Sequence, residues 1–414
     1  MDATGGSNYT LAGTTQILSV PYAQYAKNST PQTLTVTGNS LAISGGNTVT
    51  LPAGGGGKTF VTISGDMTNA QASAKLATEG GVNTQVISVL NCSELTSLDL
   101  SAYTNLYSLS VKGNTALTSI TLTGLKEVAS DLIFLDNQVL STLNFPALTY
   151  CGQGMEISSN NALTAVNAGV LKSSGGQLAF YKNEQLSNIS FSNLINTEFL
   201  YVQESPALTT LSIANLKTGG ISIGDCPLFS SLSVPVWAGD NLEIKNTNIS
   251  TLSAPMLVKS IIYIANNTNL TTISMAKLVD AGINLQGNNL LSTVSLPMLT
   301  SASFSMYGSK VSTLSLPAFT TIKATFIFSS PLLTSISLPA LTTFINGAQY
   351  NQINIGSNLN TAAVNALLAK FVAITPIMNG VPINLQQSPS APPTGQGLTD
   401  KATLISRGNT VSTN

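Results

Sequence analysis

Apolar positions along much of this chain recur with a two-residue period, break at a proline and begin again roughly twenty residues later. The segment SSPLLTSISLPALTTF, Ser329 to Phe344, is one instance, and NLLSTVSLPMLTSASF, NISTLSAPMLV and PLFSSLSVPVWAG are others. In LTSISLP the alternation predicts a short strand with Leu333, Ile336 and Leu338 facing inward and Ser335 and Ser337 facing out. Proline then ends the pairing, because it lacks an N–H and fixes φ. It does so at Pro146, Pro235, Pro255, Pro297, Pro317 and Pro339.

A register emerges when the chain is aligned on a small polar residue followed three positions later by a large apolar one. The polar positions are Cys92, Asn114, Asn137, Asn160, Asn183, Ser205, Cys226, Asn246, Asn267, Asn288, Gly308 and Ser330. From Cys92 to Ser330 this is 238 residues in eleven steps, about 21.6 per turn, inside the 20 to 29 range of leucine-rich repeats. In most turns the stretch before the polar position also alternates, as in LYSLSVKGN, MEISSNN and INLQGNN, so each turn offers two short strands around a polar corner.

These residues resemble the leucine-rich repeat pattern L-x-L-x-x-N/C-x-x-L, and Cys at two ladder positions strengthens the match. The resemblance implies that Cys92, Asn114, Asn137, Asn160, Asn183, Asn246, Asn267 and Asn288 form a structural ladder. In it each short side chain bonds backbone groups of the neighbouring turn, which suits an amide that both donates and accepts. Around Asn246 and Gly308 the preceding strand is one residue out of phase, which predicts a bulge or shortened corner there. The connecting segments are rich in Ser, Thr and Pro and lack a helical period. The chain therefore resembles the bacterial surface-protein (BspA-like) type, and a mostly β, parallel solenoid of about twelve turns is expected over residues 92–345, with small α/β caps at both ends.

Outward positions form two columns, Ser97 through Ser335 and Asp99 through Ser337, that are mostly Ser and Thr. Parallel strands lie about 4.8 Å apart, so like charges stacked in register would repel where hydroxyls bond laterally. A hydroxyl lattice also suits a regular ligand such as ice or a crystalline polysaccharide, but the first four turns break the pattern and favour a purely structural surface. Ahead of the repeats, at 58–91, KTFVTISG and TQVISVLN read as strands around a helix beginning near Thr68. Behind them, at 346–414, NTAAVNALLAKFVAI places Val364, Leu367, Leu368 and Phe371 on one helical face. VPINLQQ then reads as a strand and TDKATLISRGN as a second helix closed by Gly408. This closing unit resembles that of repeat proteins in Bacteroidota and of phage tail-fibre-like proteins.

Residues 1–57 are expected to be an N-terminal anchor and Gly-rich linker. LTVTGNSLAISGGNTVTLP alternates around Gly-Asn and Gly-Gly turns, GGGG at 54–57 reads as a joint, and QILSVPYAQYAK resembles a stretch of Bacteroidota surface and fibre-like proteins. So short a segment has little core of its own and is expected to dock on a particle or surface protein, or on copies of itself.

Composition narrows the function. Charged residues are 8% of the 414, the net charge is −1, and no basic face for nucleic acid is expected. No apolar run is long enough to span a bilayer, and MDATGGSNYT lacks the basic start and apolar core of a signal peptide. Three cysteines give neither a disulfide framework nor a metal cluster. GGGGKT carries proline where a phosphate loop needs its first glycine, and GISIG falls on a repeat strand in a chain without histidine. Paired carboxylates are then the remaining catalytic device. Glu156, Glu184 and Glu204 lie on successive turns, and Glu156 with Tyr181, Tyr201 and Gln203 suits a glycan, since rings stack on pyranose C–H faces while polar groups take hydroxyls. The expectation is no enzyme, no cofactor and no metal. The expected role is a structural or receptor-binding fibre component of a phage or phage-like particle, on the virion surface or another extracellular surface, meeting a host glycan or protein. The alternative is a Bacteroidota cell-surface adhesin or glycan-binding protein.

Overall fold

The computed structural model describes residues 33–37, 40–44, 48–50, 56–347 and 350–414. The chain divides into two compact units, Met1–Gly55 and Gly56–Asn414. Gln16 to Lys27, like Gly54 and Gly55, lie outside the described residues. In the first unit Leu34–Thr37, Ser40–Ile43 and Thr48–Thr50 form an antiparallel meander.

Gly56 and Gly57 belong to the second unit rather than to a free joint. The N–H of Asn83 donates to the Gly56 carbonyl. Gly57 has φ +73, and a Cβ there would lie 2.4 Å from the Gly81 nitrogen, so only glycine fits.

The second unit is a parallel β-solenoid of about 13 turns. A long-strand sheet begins at Phe60–Ser64 and runs turn by turn in parallel register to Thr410–Ser412. The short strands predicted after each corner stack separately, for example Thr142–Asn144 on Ala165–Asn167. Those outward columns are not continuous: Ser231 to Ser233 forms no strand, and the short strands fall into separate groups. One turn more than expected arises because Gln352–Ile355 pairs with the preceding long strand and is followed by buried Ser357 and Leu359.

Eleven successive corners share one conformation, and it settles the phase of the ladder. From Asn91 to Gly308, the residue before each ladder position has positive φ, including Asp136, Lys182 and Asp225. Asn, Asp and Gly tolerate that region best. Asn246 (φ 52) and Gly308 (φ 66) occupy this turn position, and the buried ladder residues are the next ones, Thr247 and Ser309. Asn246 is thus no ladder residue: it is exposed and donates from Nδ2 to Asp225 Oδ1, 2.6 Å away. The apparent bulge is one amide written one place early.

Elsewhere Asn114, Asn137, Asn160 and Asn183 are fully buried. The Oδ1 of Asn183 accepts from the N–H of Asn160 at 3.0 Å, and its Nδ2 donates to the Ile157 carbonyl at 2.8 Å. Asn114, Asn137, Asn160, Asn267 and Asn288 repeat that geometry, and Cys92 donates its N–H to Asn114 Oδ1.

Three helices lie among the described residues. Helix α1, Asn69–Glu79, starts at a capping box of Thr68 and Gln71. Its Asn69 accepts from the N–H groups of Thr96 and Ser97, closing the first edge of the short-strand stack. Helix α2, Thr361–Val372, is capped by Asn360 and buries Val364, Leu367, Leu368 and Phe371. Helix α3, Gln396–Ser406, packs beside it and ends before Gly408 at φ 84. No helix among the described residues is long and apolar enough to cross a membrane.

Candidate functional site

The outer face of the long-strand sheet holds the features with recognition chemistry. Its outward column, read along the stack, runs Asp131, Gly154, Gln177, Phe199, Gly220, Asn241, Ile261, Gly282 and Ser303. Glycine falls on every third strand. Each glycine removes one side chain from a row spaced at about 4.8 Å, leaving a notch bounded by its neighbours.

The middle notch is closed. Phe199 rests on Gly220, where a Cβ would lie 2.2 Å from its ring, and stacks on Tyr201 with centroids 4.1 Å apart. Tyr181 continues the aromatic ridge at 6.2 Å from Tyr201. Beyond it the Gln203 amide donates to Ser222 Oγ at 2.7 Å, and that hydroxyl donates to Glu243, which also pairs with Lys245 at 3.1 Å.

The first notch is open, a trough of about 490 Å³ around Gly154. It forms where the repeats change. From Ser108–Lys112 to Gln177–Tyr181 each long strand is preceded by a separate short piece, such as Tyr150–Cys151 before Gly154–Ser158, whereas Asn196–Gln203 is continuous, with a register shift between Asn196 and Phe199. Gly154 itself has φ +120 and a Cβ there would lie 2.1 Å from the Gln177 carbonyl oxygen. Around this floor stand Asp131, Glu156 and Glu198, the amides of Gln153 and Gln177, and Tyr181. The side-chain hydroxyl of Ser158 donates to Glu156 at 3.0 Å. Partial burial, followed by the neighbouring Tyr201 and Glu156, pushes the Tyr181 phenol above its ordinary value, so it stays a neutral donor and acceptor.

The four residues singled out from sequence thus separate. Glu156 and Tyr181 line the trough; Tyr201 supports Tyr181 from the ridge; Gln203 is held by Ser222 outside it. Ala179 stands between Glu156 and Tyr201 in the strand register. Glu184 and Glu204 lie apart from Glu156, in a corner depression with Asp136, Lys182 and Asp225. Asp131, Gln177 and Glu198 escaped sequence reasoning: the column register that joins Asp131 to Gln177 is countable once ladder positions are fixed, whereas Glu198 lies in the register shift between Asn196 and Phe199. No group of three metal-ligating side chains occurs among the described residues. The cysteines are free and buried, and burial pushes the Cys151 thiol up to about 12 and that of Cys226 to about 11.

No family model and no curated protein matches the chain. Among solved structures it is similar to a leucine-rich repeat protein from Bacteroides ovatus, at 13% identity and a TM-score of 0.34, over 86% of this chain and 93% of that one. It is also similar to the functional domain of InlJ from Listeria monocytogenes, which includes a cysteine ladder, at 15% identity and a TM-score of 0.23, over 79% and 74%. At such scores the functional reading rests on this chain's own geometry.

Proposed function

We propose that the chain is a non-enzymatic, receptor-binding fibre component of a phage or phage-like particle. Residues 1–55 anchor it, and the long-strand face of the solenoid meets a surface glycan. The observation that carries the binding half is the Gly154 trough. A pyranose ring laid over Gly154 and Ala179 has its C–H face against apolar floor and the Tyr181 ring at its side. Its hydroxyls reach two amides and three carboxylates, which together both donate and accept.

The non-enzymatic half rests on the absence of histidine from the sequence and on the setting of the carboxylates. Asp131, Glu156 and Glu198 are all exposed, whereas a glycosidase's general acid sits in an apolar enclosure. A glycan array probed with the whole protein tests the reading. Tyr181→Ala should abolish the signal, and release of reducing sugar from a bound glycan would overturn the non-enzymatic assignment. Location is tested by fractionation: recovery in purified particles supports the fibre role, and recovery in a cell-envelope fraction supports the adhesin reading.

A further inference from the structure

The third glycine notch, around Gly282, lies three strands beyond the closed one and has different chemistry. It encloses about 440 Å³ between Ile261 and Ser303. A Cβ built on Gly282 would meet nothing within 4 Å, so the notch is empty rather than filled by a neighbour as at Gly220. Ile261 points out of the sheet and is 63% exposed, so it offers the notch an apolar wall. Two ammonium groups frame this apolar floor: Lys259 lies 3.8 Å from Asp280, and Lys323 pairs with the other oxygen of the same carboxylate.

The way Lys323 gets there is costly. Between Ile322 and Phe326 its strand carries two residues more than the partner strand has between Ala302 and Phe304. That bulge forces Ala324 to φ 62, a region unfavourable for a residue with a Cβ. Bulges gather where a side chain must be re-aimed, and this one directs a lysine past Ser303 to Asp280.

We propose that the Gly282 notch is a second saccharide subsite, specific for a neutral pyranose with adjacent free hydroxyls. The C–H face of the ring packs on Gly282 and Ile261. One hydroxyl accepts from Lys323 or Lys259 while donating to Asp280, and a neighbouring hydroxyl donates to Asp240, which also lines the notch. The two ammonium groups are balanced by Asp280 and by Asp240, so no uncompensated positive charge draws an anionic sugar and a neutral one is favoured. The subsite extends the glycan reading of the sheet face but stands on its own residues, about 29 Å from the Gly154 trough at six strand spacings.

The test uses the whole protein with its isoleucine δ1 methyl groups labelled for NMR, titrated with cellotriose, maltotriose and β-1,4-galactotriose, and with trigalacturonate as the anionic counterpart. The expected result is a saturable shift of the Ile261 methyl with at least one neutral trisaccharide and none with trigalacturonate. The Cβ of Gly282→Val meets no neighbour and its methyl groups occupy the notch, so the substitution should abolish the shift while leaving the melting temperature unchanged. Lys323→Met keeps the aliphatic stem and should weaken binding about tenfold, the equivalent of about 1.4 kcal/mol. Tyr181→Ala should leave the Ile261 shift intact, so failure of the Gly154 reading and failure of this one are told apart. No shift with any neutral probe, a shift that persists in Gly282→Val, or a shift with trigalacturonate alone would each overturn the proposal.

Discussion

At the scale of single residues, stability resides in side chains that bond the backbone of the next turn. Asn183 is the clearest case, because leucine there would leave the Asn160 N–H and the Ile157 carbonyl without partners in a dry interior. Asn183→Leu should therefore lower stability by about 1 to 3 kcal/mol in urea unfolding, and an unchanged midpoint would contradict the ladder. Burial acts in the same way on the thiol of Cys151, raised from its ordinary 9.0 to about 12. Its folded-state value lies above its unfolded one, so its contribution is full below pH 9.0 and is lost as pH rises toward about 12. Unfolding midpoints should fall across that window, and Cys151→Ala should flatten the decline. The native thiol should also resist alkylation until urea unfolds the chain.

At the scale of elements, stacking is carried by a second ladder as well. Thr118, Ser141, Thr164, Ser187 and Thr209, each following a buried leucine, donate their hydroxyls to the carbonyl of the equivalent residue one turn back, at 2.9 to 3.3 Å. These hydroxyls sit one residue before the short strands whose outward columns begin at Ser97 and Asp99, so Ser and Thr recur at this position for stacking. Asn69 in α1 does the same work at the edge, and Asn69→Ala should accelerate hydrogen exchange at the Thr96 and Ser97 amides while leaving the central turns protected. Much of this was legible in sequence, because a two-residue period and a spaced amide leave a mark that needs no tertiary knowledge. The positions that failed did so for physical reasons. Asn246 is an amide that the αL turn favours as strongly as the ladder does, so residue type alone could not separate the two sites. Gln387 continues the ladder inside the C-terminal cap, accepting from the Leu359 N–H and donating to the Ile355 carbonyl. It was missed because α2 intervenes and breaks the repeat spacing. The troughs were illegible because they depend on which glycines share a column, and each one-residue change in repeat length shifts that register.

At the scale of the whole molecule, a stack of turns leaves two open ends, and each end is an apolar cross-section with an unpaired strand. The C-terminal end is closed in layers: Pro382–Asn384 pairs with Gln352–Ile355, Thr410–Ser412 pairs with Pro382–Asn384, and α2 and α3 lie alongside. Asn414 accepts from the Gln387 N–H at 2.6 Å, and the guanidinium of Arg407 donates to the Val372 carbonyl at 2.6 Å, so the last strand and both helices are tied together. Removing residues 360–414 would uncover Ile353, Ile355 and Phe344, all buried in the intact protein, and leave Gln352–Ile355 as a bare edge. That truncation should aggregate. The N-terminal unit presents the opposite case. It ends at Gly55 as a compact unit of its own, whereas Gly56 onward is held by Asn83 and by the contact of Gly57 with Gly81. Deleting residues 1–55 should therefore leave a soluble solenoid with an unchanged melting temperature that no longer joins its particle or its own copies. Both truncations are read by size-exclusion chromatography with light scattering and by thermal unfolding. A melting temperature that falls on removal of residues 1–55 would show that the first unit supports the solenoid, and assembly that survives the deletion would overturn its role as the anchor.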